Sequence, residues 1–110
     1  MGYSKTEYFS EEQNQMANMF KAMGHPARIA IIGHLLQVKT CICGDIVNVL
    51  PLAQATISQH LKELKKAGII KGKISGSAIC YCIEDKAIHH LALYFDNISQ
   101  QLEANNNSCC

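Results

Sequence analysis

The richest chemistry in this 110-residue sequence lies in its six cysteines. They fall into three pairs, Cys41-Ile42-Cys43, Cys80-Tyr81-Cys82 and the adjacent Cys109-Cys110. Two thiols separated by one residue can turn both sulfurs toward one ion, and thiolate is the preferred donor of soft trivalent arsenic or antimony. Cys41 and Cys43 are expected at the entrance to a short helix, where the positive helix end favours thiolate over thiol. Trivalent arsenic asks for three sulfurs in a pyramid. Cys109 and Cys110 are the candidates, on a tail whose last seven residues could span roughly 23 Å if extended. Cys80 and Cys82 share one face of a strand by alternation and read as packing residues, a common place for a reduced cysteine.

A second constellation lies between them. Gln54, Thr56, Ser58, Gln59, His60 and Lys62 form the polar side of an amphipathic segment whose apolar side is Ile57, Leu61 and Leu64. Glutamine can bond adenine twice, and hydroxyls, imidazole and lysine suit phosphates. Gln54, Thr56 and Gln59 are the expected base contacts, and Ser58, His60 and Lys62 the expected phosphate contacts. Net charge is only +1, but Lys62, Lys65, Lys66, Lys71 and Lys73 are half of the ten basic residues, with Glu63 the one acid among them. Such a block attracts a polyanion locally while the rest of the chain stays near neutral.

The elements that would position these groups can be read from period and punctuation. Ser10-Glu11-Glu12-Gln13 has the form of a capping box, so a helix starts there, with Met16, Met19, Phe20 and Met23 on one face. Gly24 ends it and Pro26 opens a second helix, whose apolar positions include Ile29, Ile32, Leu35 and Leu36. Cys41 to Leu50 is expected as a third helix, stopped by Pro51, and Ala53 to Ala67 as a fourth, with Gly68 as its left-handed cap. Two short helices joined by a tight turn make a helix-turn-helix. The period then changes to two: Ile69 to Ile74, a turn at Ser75-Gly76-Ser77, and Ala78 to Ile83 predict a hairpin, and Lys71 and Lys73 would let it grip flanking phosphates. Asp85 is expected to cap a last helix with a seam of Ile88, Leu91, Phe95, Ile98 and Leu102, for which a second copy of the chain is the natural cover.

The expected fold is therefore mainly α with a small β-hairpin: a winged helix-turn-helix of about five helices plus a two-stranded wing, paired as a homodimer. Residues 1–110 read as one domain with a mobile N-terminus (1–9) and C-terminal tail (104–110). Met1 to Ser10 hold no apolar run fit for a signal peptide, and no later stretch approaches membrane-spanning length, so the expected location is cytoplasmic, without membrane contact. In that compartment thiols stay reduced and serve as ligands or redox centres. An enzyme is not expected, because Cys-Ile-Cys lacks the two-residue spacing of a thioredoxin-like oxidoreductase. A metal-storage protein would need no polar reading helix.

The run from Asp45 to Ile70, with Gly24-His25-Pro26-Ala27-Arg28 upstream, resembles the ArsR/SmtB family of arsenic- and metal-responsive repressors over roughly Met16 to Leu102. Thr40-Cys41-Ile42-Cys43-Gly44-Asp45 is similar to the Cys-Val-Cys-Asp element that binds arsenite or antimonite in arsenical repressors, with Gly44 added before the aspartate. The resemblance implies a dimeric winged helix, its first and last helices forming the interface, that represses an operon from double-stranded operator DNA until an inducer binds. As(III) or Sb(III) at Cys41 and Cys43 is the implied inducer. A redox or persulfide sensor, or a Cd, Pb or Zn sensor, is the alternative within the same family. The last-helix zinc site of other members is not expected, because Ala87 stands where its histidine would fall and His89-His90 are adjacent.

Overall fold

The structure, a computed structural model, describes residues 5–38, 42–43, 50–76 and 78–105. A 3-10 turn, Lys5–Tyr8, lies within the N-terminal arm and leads to helix α1, Glu11–Met23. The capping box is formed: the Gln13 N–H donates to Ser10 Oγ at 3.1 Å, and the Ser10 N–H to Gln13 Oε1 at 3.0 Å. Two donors that a helix start would otherwise leave unpaired are thereby satisfied. Helix α2, Pro26–Gln37, begins at His25, whose Nδ1 accepts from the Ala27 N–H at 3.0 Å. Proline at the first helical position costs no hydrogen bond there. In α2 the inward residues are Ile31, Ile32 and Leu35, whereas Ile29 and Leu36 are exposed. The run Ile29-Ala30-Ile31-Ile32 is apolar throughout, so its period alone does not choose a face.

Ile42–Cys43 form a short strand, β1, where the sequence suggests the start of a helix. The reason is tertiary: β1 pairs antiparallel with a later strand, and that pairing satisfies backbone groups that a helix would have bonded internally. Residues 44–49, the body of the expected third helix, lie outside the described residues, as do Cys41, Ser77 and the tail from 106 onward.

Helix α3, Gln54–Lys66, is the expected fourth segment, with Ile57, Leu61 and Leu64 all buried. Gly68 follows at φ +80°, a conformation that glycine adopts without a Cβ clash. Strands β2, Ile70–Ser75, and β3, Ala78–Ile83, make the hairpin, with Gly76 at φ +65° in its turn. The sheet order is β1-β3-β2, so the wing has a third strand at its base beyond the two expected. Helix α4, Asp85–Ala104, is capped by Glu84 and not by Asp85: a Glu84 carboxylate oxygen accepts from the Lys86 N–H at 3.3 Å.

Ile31, Ile57, Leu64, Ile69 and Ile70 are the most deeply buried side chains, and they join α2, α3 and β2 in one core. Each such side chain contributes about 1.5–3 kcal/mol by leaving water. That core fixes how α3 and the wing sit relative to each other. Among the described residues no helix is long and apolar enough to cross a membrane.

Candidate functional site

Helix α3 has the two faces that a groove-reading helix needs. Its apolar residues are buried, while Gln54, Thr56, Ser58, Gln59 and Lys62 are exposed. Ala53, at the N-cap, offers no side-chain bond to the first turn, so the amide groups there remain available to a phosphate oxygen. Gln59 Nε2 donates to Glu63 Oε2 at 3.3 Å, one helical turn on. Lys71 and Lys73 are exposed on β2.

His60 is a correction to the sequence reading. It is turned inward with 8% of its surface exposed, and is not available as a phosphate contact. Arg28 Nε donates to His60 Nδ1 at 3.0 Å, and Arg28 Nη1 donates to the Ala22 carbonyl at 3.1 Å. The His25 and His60 rings lie 4.5 Å apart between centroids. Burial first, and then the charges of His25 and Arg28, hold the His60 pKa below the ordinary histidine value. A neutral ring accepting from Arg28 pins the reading helix to the end of α1 and the start of α2. The signal was in the spacing, since His60 stands three residues after Ile57 and four before Leu64, on the apolar face.

The thiols are arranged differently from the sequence expectation. Cys41, Cys109 and Cys110 lie outside the described residues. Cys43 is in strand β1, so a helix N-terminus is not what would activate it. It stands opposite Cys80 in the β1·β3 register. Cys80 and Cys82 are both disulfide-bonded, a covalent role beyond the packing one read from the sequence. Cys80 is buried, at 4% exposure, yet it is not part of the apolar core cluster. On the other side of β3, Cys80 pairs with Lys73 and Cys82 with Lys71. Directly paired residues in an antiparallel sheet project to the same side, so the thiols of β3 share a sheet face with the two wing lysines. Among the described side chains no three His, Cys, Asp or Glu are grouped as a metal site.

The seam of α4 is half covered. Leu91 is buried and Ile88 partly so, but Phe95 and Leu102 expose 56% and 52% of their surface. Phe20 of α1 packs against Tyr94 and Phe95, with ring centroids 5.8 and 5.6 Å away. A cavity of about 640 Å³ runs between α1 and α4, lined by Met16, Phe20, His90, Leu93, Tyr94 and Ile98 among others. Nε2 of His90 is buried with no hydrogen-bond partner among the described residues.

Residues 25–71, which carry α2, β1, α3 and the start of the wing, match the family of bacterial regulatory proteins described as the arsR family. The chain is similar to the HTH-type transcriptional repressor SmtB of Mycobacterium tuberculosis, with 36% identity over 68% of this chain and 55% of that protein, so it spans about half that relative's length. It is 30% identical to a cadmium resistance transcriptional regulatory protein, a CadC homolog of Staphylococcus aureus, over 80% of this chain and 73% of that one. Among solved structures it is similar to the homodimeric winged helix-turn-helix DNA-binding domain of a possible ArsR-family regulator from Mycobacterium bovis. There the TM-score is 0.66, at 18% identity, over 99% of this chain and 97% of the other. The winged-helix fold is thus shared with the solved structure and the sequence from 25 to 71 with the family, and the chain belongs to the arsR family of transcriptional regulators.

Proposed function

We propose that the chain is a homodimeric repressor that binds double-stranded operator DNA through α3 and the wing, and that thiolate capture of As(III) or Sb(III) by Cys41 and Cys43 releases it. The observation that carries the DNA-binding part is the exposed row Gln54, Thr56, Ser58, Gln59 and Lys62, held rigidly over a buried apolar face and followed by a hairpin bearing Lys71 and Lys73. Gln54, Thr56 and Gln59 read base edges, while Ser58, Lys62 and the wing lysines bind phosphates. The half-exposed seam of α4 and its aromatic contact with α1 supply the apolar surface for a second copy. A dimer places two reading helices one helical turn of DNA apart.

Capture of the ion at Cys41 and Cys43 acts on the segment that leads into α3, so the two reading helices lose their match to successive major grooves. A hundredfold loss of DNA affinity needs about 2.7 kcal/mol of coupling, within the usual range for allosteric ligands. Cd(II) is the second ion to test, given the name of the staphylococcal relative. A redox sensor is the alternative mechanism, and the disulfide bonding of Cys80 and Cys82 favours it.

The test is fluorescence anisotropy of the purified, reduced protein on its own promoter DNA, titrated with arsenite and, in parallel, cadmium or zinc. Release by arsenite at low concentration, lost in Cys41→Ser and Cys43→Ser variants that still bind DNA, is the expected result. A complex that ignores every ion but dissolves on peroxide treatment would replace the arsenical reading with the redox one.

A further inference from the structure

We infer that the tip of the wing is an apolar wedge: Ile74 and Ile79 enter the minor groove beside the site that α3 reads and part a base step there, bending the operator. The inference rests on the proposed binding of DNA by α3 and the wing, and it assigns the wing tip a task that its lysines cannot perform.

The hairpin has two unlike faces. Ile70, Gly72 and Ile74 alternate with Lys71 and Lys73 along β2, and the cross-strand partners of the first three are Ile83, Tyr81 and Ile79. At the base of the wing this apolar face is covered: Ile70 belongs to the core, and Tyr81 and Ile83 pack against it. Toward the tip the same stripe runs past the core, leaving Ile74 84% exposed and Ile79 47% exposed. The two are direct partners across the hairpin, so they form one patch and not two scattered side chains. Isoleucine is branched at Cβ and stiff, which suits a wedge. The stretch Ile74-Ser75-Gly76-Ser77-Ala78-Ile79 holds no charged residue.

The placement of charge identifies the occupant. Lys71 and Lys73 are exposed on the opposite face of β2. Lys65 of α3 reaches the isoleucine face: a Cβ on Gly72 would lie 3.3 Å from Lys65 Nζ and 3.3 Å from Ile79 Cγ2, so the ammonium sits over the strand beside the apolar pair. An uncharged tip with cations on both faces matches a minor groove, where two phosphate rails border a floor that carries little hydrogen-bonding code. Apolar side chains set between base steps there part them and bend the duplex toward the major groove, the groove assigned to α3. Unstacking is easiest at pyrimidine–purine steps, so the wedge selects sequence at positions that no polar side chain reads.

The experiment uses the full chain, reduced, on its own promoter DNA with a donor and an acceptor dye at the two ends, so that anisotropy reports affinity and energy transfer reports the bend. The parent is expected to bend the duplex by at least about 20°. Ile74→Ser and Ile79→Ser should bind about tenfold more weakly, as expected for one aliphatic side chain kept from leaving water, and lose most of the bend. Because neither substitution removes a charge, the slope of affinity against salt should stay that of the parent. Ile74→Leu keeps the apolar volume and should keep the bend. Circular dichroism checks the fold, and if Ile79→Ser misfolds, the variants of the more exposed Ile74 decide. A parent complex that leaves the duplex straight would overturn the wedge while leaving DNA binding intact. Serine variants that bind and bend as the parent does would also overturn it, and would turn the isoleucine pair toward a protein partner. Failure of the parent to bind any promoter fragment would instead overturn the DNA-binding reading on which the inference rests.

Discussion

Replacing Arg28 by alanine should loosen the reading helix without touching any residue expected to meet DNA. The guanidinium makes two bonds, to His60 Nδ1 at 3.0 Å and to the Ala22 carbonyl at 3.1 Å, both part-buried. A hydrogen bond from a charged donor contributes about 1.5–3 kcal/mol, and bonds sharing one side chain do not add fully. The expected loss is about 2–4 kcal/mol out of a typical 5–15. Urea denaturation at fixed protein concentration measures it. Arg28→Lys, which keeps the charge but not the two-directional fork, should recover less than half. The His60 imidazole signal in NMR titration should move up toward its ordinary value as the Arg28 charge disappears, although burial, the larger cause, remains. A stability change under about 0.5 kcal/mol would refute the idea that this contact anchors α3, because it lies well below the roughly 1.5–3 kcal/mol of a hydrogen bond to a charged group.

The same histidine gives a pH prediction. Folding holds its pKa below 6.5, so the unfolded chain takes up a proton that the folded one resists, and stability falls as pH drops below that value. The slope is at most about 1.4 kcal/mol per pH unit, with no contribution from His60 above it; subtracting the urea profile of His60→Gln isolates the effect, and identical profiles would contradict it. Ile98→Glu puts a carboxylate into the exposed α4 seam and should move the species in sedimentation from twice 12.1 kDa to 12.1 kDa; an unchanged mass places the dimer contact elsewhere. Lys73→Ala should flatten the salt dependence of DNA binding by about 0.9 per phosphate contact, about 1.8 for two copies. An unchanged slope in anisotropy would remove Lys73 from the interface.

Much of the frame was legible in the sequence, because local chemistry decides it. Ser10 and Gln13 made the capping box their order implies, and Gly68 and Gly76 took positive φ where a cap and a turn demanded it. Ile57, Leu61 and Leu64 set the buried face of α3 unaided. Strand β1 was not legible, since two residues carry no period and its partner lies nearly forty positions away. The thiol arrangement was hidden for the same reason: which cysteine faces which depends on a long-range register, not on spacing. His60 was misread because a titratable residue inside a polar run looks like surface, although its place beside Ile57 and Leu61 put it on the inner stripe. Its partner Arg28 ends the Gly24-His25-Pro26-Ala27-Arg28 run, and only the packing of α2 on α3 gives that arginine its role.

The strand order β1-β3-β2 leaves β3 in the middle and β2 at an edge of the sheet among the described residues. An open edge is a template on which another chain can add a strand, and repeated addition builds fibrils. Here the edge carries Lys71 and Lys73, whose like charges repel an identical strand approaching it. The two residues of β1 cover the opposite side of β3 by pairing with it, without any charge of their own. The lysines assigned above to gripping phosphate therefore also act as guards against self-association, so acetylating them should lower DNA affinity and solubility together.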